Sequence, residues 1–116
     1  MSDKRLIWLG SSRSDLKAFP PEARRVAGFQ LRRVQQGLEP NDWKPIPTVG
    51  HGVQEIRIHT GLEHRVFYVA KFTEGVYVLH AFEKRTRKTP KRELELARDR
   101  FRALVMKRRT ENSMRR

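Results

Sequence analysis

The sequence predicts a single α+β domain with the element order β-α-α-β-β-β-α. Three observations predict it. Ala23, Ala27, Leu31, Val34 and Leu38 recur at steps of four, four, three and four, the spacing of one buried helix face. From Val53 the period drops to two, with Gln54, Ile56 and Ile58 alternating against Glu55, Arg57 and His59. Leu94, Ala97, Phe101 and Leu104 then return to steps of three, four and three.

Each element has a local reason. Lys4 to Leu9 (KRLIWL) holds the β-formers Ile7 and Trp8 and reads as a short strand. Gly10-Ser11-Ser12 breaks it and supplies an N-cap hydroxyl for a helical turn through Leu16. Pro20-Pro21-Glu22 opens the longer helix, because proline fits the first turn, and Gly37 and Pro40 close it. Residues 40–52 (PNDWKPIPTVGHG) are rich in proline and glycine and read as loop. Thr60-Gly61-Leu62 and Thr73-Glu74-Gly75 separate three β-rich runs, which should form an antiparallel meander. Thr89-Pro90 has the N-cap and first-position signature of the last helix, with Glu93 one place late for a capping box. Two helices should cover one face of the sheet, with the third at its end, in about two layers.

The 116 residues include no cysteine, which excludes disulfides and thiolate metal sites. No apolar run reaches the length of a signal core or a membrane span, so the expected location is the cytoplasm. Net charge is +13, which points to a polyanionic partner, nucleic acid first. Residues 1–82 carry 12 Lys and Arg against 8 Asp and Glu, whereas residues 83–116 carry 14 against 5. The excess therefore begins at HAFEKRTRKTPKRE. Residues 107–116 (KRRTENSMRR) read as a flexible basic tail after a domain of residues 1–106.

No phosphate-cradling glycine loop, nucleophile elbow or metal-ligand motif is present. His51, His59 and His64 read as ordinary polar side chains, and His80 stands out for its apolar surroundings before the basic cluster. Arg57 and Arg65 lie on neighbouring strands across a short turn. Two readings are open for them. Either they are solvated strand positions partnered by Glu55 and Glu63, or they line a concave face and converge with Lys84–Lys88 on a phosphate.

Three stretches resemble the phage-derived, HigB-like branch of the RelE/ParE toxin superfamily: Glu55-Ile56-Arg57, Arg65-Val66-Phe67-Tyr68, and the run from Leu79-His80-Ala81-Phe82 through Lys84-Arg85-Thr86, Lys88, Thr89 and Pro90. An alternating Glu/Ala/Arg helix follows, and the likeness extends loosely over nearly the whole chain. Val53-Gln54 stands where this branch often has Leu-Trp, and Lys84-Arg85 where it often has Lys-Lys.

The resemblance implies a toxin of a bacterial toxin–antitoxin pair, held by a small helix-turn-helix antitoxin, that cleaves mRNA on the ribosome. It implies no cofactor and no metal. The RNA 2′-hydroxyl attacks the adjacent phosphodiester and leaves a 2′,3′-cyclic phosphate. On this reading Arg57 and Arg65 hold the phosphate, and Lys84 and Arg85 stabilise the transition state. Lys88 contacts RNA or assists proton transfer, and Glu55 and His80 are acid/base candidates. Arg87, Lys91 and Arg92 bind RNA backbone. A cluster of cations can also depress the pKa of a lysine enough to make it a base. Two other readings are a ParE-like gyrase inhibitor, against which the dense basic rim argues, and a non-catalytic RNA- or ribosome-binding module, which uses the same residue types.

Overall fold

The computed structural model describes residues 3–114. Its elements are β1 (Leu6–Trp8), α1 (Ser12–Lys17), α2 (Pro21–Gln35), β2 (Trp43–Pro45), β3 (Val53–His59), β4 (Glu63–Val69), β5 (Val76–Glu83) and α3 (Lys91–Met114). The expected α+β class is correct. One five-stranded sheet runs in the order β1-β5-β4-β3-β2, with β1 parallel to β5 and the other neighbours antiparallel.

Two apolar cores flank this sheet. On one face, Leu16 and Phe19 near α1, and Ala23, Ala27, Leu31 and Val34 of α2, pack on Ile56, Ile58, Val66, Tyr68 and Val78. On the other face, Ala97, Phe101 and Leu104 of α3 pack with Val53, Phe67, Tyr77, Leu79 and Phe82. The α2 stripe thus forms as its spacing predicts, except at Leu38. That residue lies past the helix end and is exposed.

The layering differs from expectation. α3 covers the second face rather than the end of the sheet, which makes three layers. Phe101 lies so close to Gly50 that any Cβ there would overlap its ring. Truncating a buried phenylalanine of this kind costs ~3–5 kcal/mol.

Other boundaries move for identifiable reasons. Trp43–Pro45 forms an edge strand on β3 inside the expected loop, because Pro45 sits at an edge where its missing N–H is not needed. β4 ends at Val69, short of the expected Phe72, and Lys4 Nζ takes the carbonyls of Ala70 and Phe72. The Ser11 hydroxyl bonds Asp15, and that of Ser12 bonds Val78 O, so neither caps α1. Pro90 accepts from the N–H groups of Glu93 and Leu94, so the helix starts one residue later than the Thr89 cap implied.

Residues 107–114 continue α3 instead of forming a flexible tail. Arg108 holds them to the body of the fold. It bonds Glu74 through Nε at 2.8 Å and lies 3.8 Å over the Phe72 ring. The tail residues Arg115 and Arg116 lie outside the described residues.

Candidate active site

Strand register assembles the site. Arg57 on β3 stands directly opposite Arg65 on β4, and Arg65 stands opposite Phe82 on β5. Side chains alternate along a strand, so Glu55 shares the face of Arg57, and Lys84 shares that of Phe82. Lys84 follows β5, and its N–H donates to Glu63 O at 2.7 Å, which keeps the residue in the ladder. Lys44 on β2 pairs in register with Glu55.

The floor of this group is buried. Glu55 is 1% and Arg65 3% exposed. The Glu55 carboxylate lies 3.9 Å from Arg65 Nε and 3.9 Å from Lys44 Nζ, too far for hydrogen bonds. Arg65 instead donates from Nη1 to His64 O at 2.9 Å and from Nη2 to Glu63 at 3.0 Å. The Nε groups of Arg57 and Arg65 are both buried without a partner. A buried donor left unpaired costs ~1–3 kcal/mol, a penalty that a bound anion can relieve.

The charges perturb one another. Burial pushes the Glu55 carboxyl up, against the opposing pull of Lys44, Arg65, Arg57 and Lys84. Burial also pushes the Lys84 ammonium down, with Arg65, Lys44 and Arg57 adding to the effect and Glu55 resisting it. A lysine made less basic beside fixed guanidinium groups is suited to proton transfer near an oxyanion.

The family model for "Phage derived protein Gp49-like (DUF891)" matches residues 14–102, which span every residue of this cluster. The chain belongs to the Gp49-like family. Membership is consistent with a toxin-like function at a coarse level. No curated protein matches the chain. Among the described residues of this Gp49-like protein, no three His, Asp or Glu side chains group as a metal ion would require. No described helix is long and apolar enough to cross a membrane.

Of the residues singled out in the sequence, the Gp49-like fold brings together Glu55, Arg57, Arg65 and Lys84. Arg65 does take Glu55 and Glu63 as its charge partners, but it is buried where a solvated strand position was one of the readings. The other candidates stand apart. Arg85 is exposed and paired with Glu83 at 2.9 Å. Arg87 and Lys88 are exposed on the loop between β5 and α3, where Thr86 Oγ1 donates to Lys88 O. Lys91 and Arg92 are exposed on the first turn of α3. His80 is buried, bonds Glu93 at 3.1 Å and stacks on Phe82.

Lys44 was missed in the sequence. Its signal was weak: Trp43 is a β-former, but the prolines on either side of Trp43-Lys44 favoured a loop. His59, read as ordinary, bridges Asp42 at 2.6 Å and Glu63 at 2.7 Å and so ties the ends of β3 and β4 to the β2 approach.

Proposed function

We propose that this Gp49-like protein is the toxin of a two-protein toxin–antitoxin pair and a ribosome-associated mRNA endonuclease. The observation that carries the reading is the position of Lys84. It is a partly buried lysine whose pKa is lowered by burial and by the nearby Arg65, Lys44 and Arg57, with the Glu55 charge near enough to resist the shift.

The reaction needs a base for the 2′-hydroxyl and cations for the phosphorane. In our reading, neutral Lys84 takes the 2′-proton and the oxygen attacks the adjacent phosphorus. The bond to the 5′-oxygen breaks, and that oxygen leaves with a proton from water. The products are a 2′,3′-cyclic phosphate and a 5′-hydroxyl end. Arg57 faces the non-bridging oxygens, where one such contact is worth about two to three decades in rate. Lys44, at the cluster's edge, adds point charge. Arg65 and Glu55, nearly inaccessible, act as positioning residues. Glu55 balances the surrounding cations, and Arg65 lowers the basicity of Lys84. Arg85, Arg87, Lys88, Lys91 and Arg92 lie outside this group and would serve the RNA backbone through charge.

Induced expression without an antitoxin tests the reading. Growth and translation should stop, and primer extension on translated mRNA should show new 5′ ends in frame with codons. Intact mRNA together with inhibited gyrase would reverse the assignment. Bound but uncut RNA would leave a binding module.

A further inference from the structure

β5 loses its neighbour halfway along. β1 pairs with Val76, Tyr77 and Val78, so the stretch from Leu79 to Glu83 has β4 on one side and, among the described residues, no strand on the other. Antiparallel pairing alternates along the ladder. Lys84 donates to Glu63 O, so Phe82 also bonds toward β4, while Ala81 and Glu83 turn their backbone groups to the open edge.

A cleft of about 370 Å³ opens on that edge, between the α1–α2 junction and the start of α3. This volume falls in the range of small-molecule sites, ~300–1,000 Å³. Its walls are aromatic: the Phe19 and His64 rings lie 4.3 Å apart, and His80 stacks on Phe82 at 5.0 Å. Asp15 and Glu93 supply carboxylates; through one oxygen each, Asp15 accepts from Ser11 and Glu93 bonds His80. Glu83 is already paired with Arg85, and no Lys or Arg lines the cleft itself. In a chain of net charge +13, that local reversal disfavours phosphate and favours a group rich in hydrogen-bond donors. His64 and His80 are both more than nine-tenths buried, and the Nδ1 atom of each has no partner.

The geometry points to a nucleobase pocket that takes an amine-bearing base, adenine or cytosine, from the RNA strand beside the scissile phosphate. Single-stranded RNA is read in this way, by stacking on rings and by hydrogen bonds to base edges. An exocyclic amine can donate to two carboxylates at once. Uracil flanks its one N–H with carbonyl oxygens, which the carboxylates repel. Phe82 joins the pocket to the phosphate cluster, since it stands opposite Arg65 in register and is also one of the residues that line the cleft. The inference rests on the proposed RNA substrate.

Free ribonucleosides test it without engaging the phosphate cluster. Ring resonances of the histidines would be followed by NMR during titration with adenosine, cytidine and uridine, with the exposed His51 and His59 as internal controls. His64 and His80 should shift saturably with adenosine and cytidine, and about tenfold more weakly with uridine. Glu93→Gln and Asp15→Asn, each checked by melting, should weaken adenosine binding about tenfold. Arg57→Ala should leave it unchanged while RNA cleavage slows about a hundredfold to a thousandfold. Saturable nucleoside binding by a protein that cuts no RNA would keep the pocket and overturn the nuclease reading. No saturable shift at His64 and His80, an equal response to uridine, or full binding by both folded variants would overturn the pocket.

Discussion

Arg57 and Arg65 are direct cross-strand partners, two like charges at the closest approach that a β-ladder offers, and each has a buried Nε with no acceptor. Like charges so placed destabilise a sheet. Glu55 on the same face offsets this only in part, at 3.9 Å from Arg65.

The two arginines should respond differently to truncation. Arg57→Ala removes repulsion and an unpaired donor, so the melting temperature should hold or rise while cleavage slows about a hundredfold to a thousandfold. Arg65→Ala breaks bonds to His64 O and Glu63 inside the sheet and should cost about 1.5–3 kcal/mol of stability. Thermal melts and cleavage rates measured side by side check the contrast. Equal stability of both variants would contradict the buried placement of Arg65.

Lys84 should set the pH dependence of the rate. Its pKa is lowered, so as a base it becomes competent as pH rises, and the rate should climb and then level below the ordinary lysine value of 10.5. Lys84→Arg keeps the charge but cannot lose a proton in this range. Its rate should fall about 10²–10⁴-fold and the climb should vanish. A variant that keeps the rate and the pH profile would make Lys84 a fixed charge only.

Much of this arrangement was legible in the sequence. The 3–4 stepping of α2 located one core, and period-2 alternation in β3 located Glu55 and Arg57 on one face. The side of the sheet taken by α3 was misread, although a signal existed. Arg65 to Val69 and Val76 to Phe82 are near-continuous apolar runs apart from Arg65 and His80, and strands of that kind are buried on both faces. A second layer had to cover them. β2, and with it Lys44, was hidden because proline density outweighs a three-residue edge strand in any local reading. The surroundings of His80 were not legible for a subtler reason. The register shift between Phe67 and Tyr68 breaks strict alternation along β5, and the ring joins Phe82 and Glu93 instead of the cations.

Glu74 and Arg108 should govern the acid stability of the last turns of α3. Hydrogen bonding to Arg108 holds the Glu74 carboxyl down at about 2. A depressed carboxyl stabilises the fold above its unfolded value of 4.5, and that contribution is lost as pH falls from 4.5 toward 2. Arg108→Ala should therefore lower the melting temperature at pH 6 and change it far less near pH 2. Equal losses at both values would mean that Arg108 acts only by packing on Phe72.

The central claim is that phosphate chemistry is confined to the sheet cluster and is not a property of bulk positive charge. The most direct measurement is the cleavage rate at saturating ribosome for Arg57→Ala and Lys84→Ala, set against Lys107→Gln and Arg109→Gln on the far part of α3, with thermal melts for all four. The account predicts that the first pair stays folded and loses about two to three decades in rate. The second pair should keep its rate under saturation and bind more weakly only as salt is raised. If neutralising Lys107 and Arg109 slows cleavage as much as removing Arg57 and Lys84, the cluster has no special role and the site is wrong.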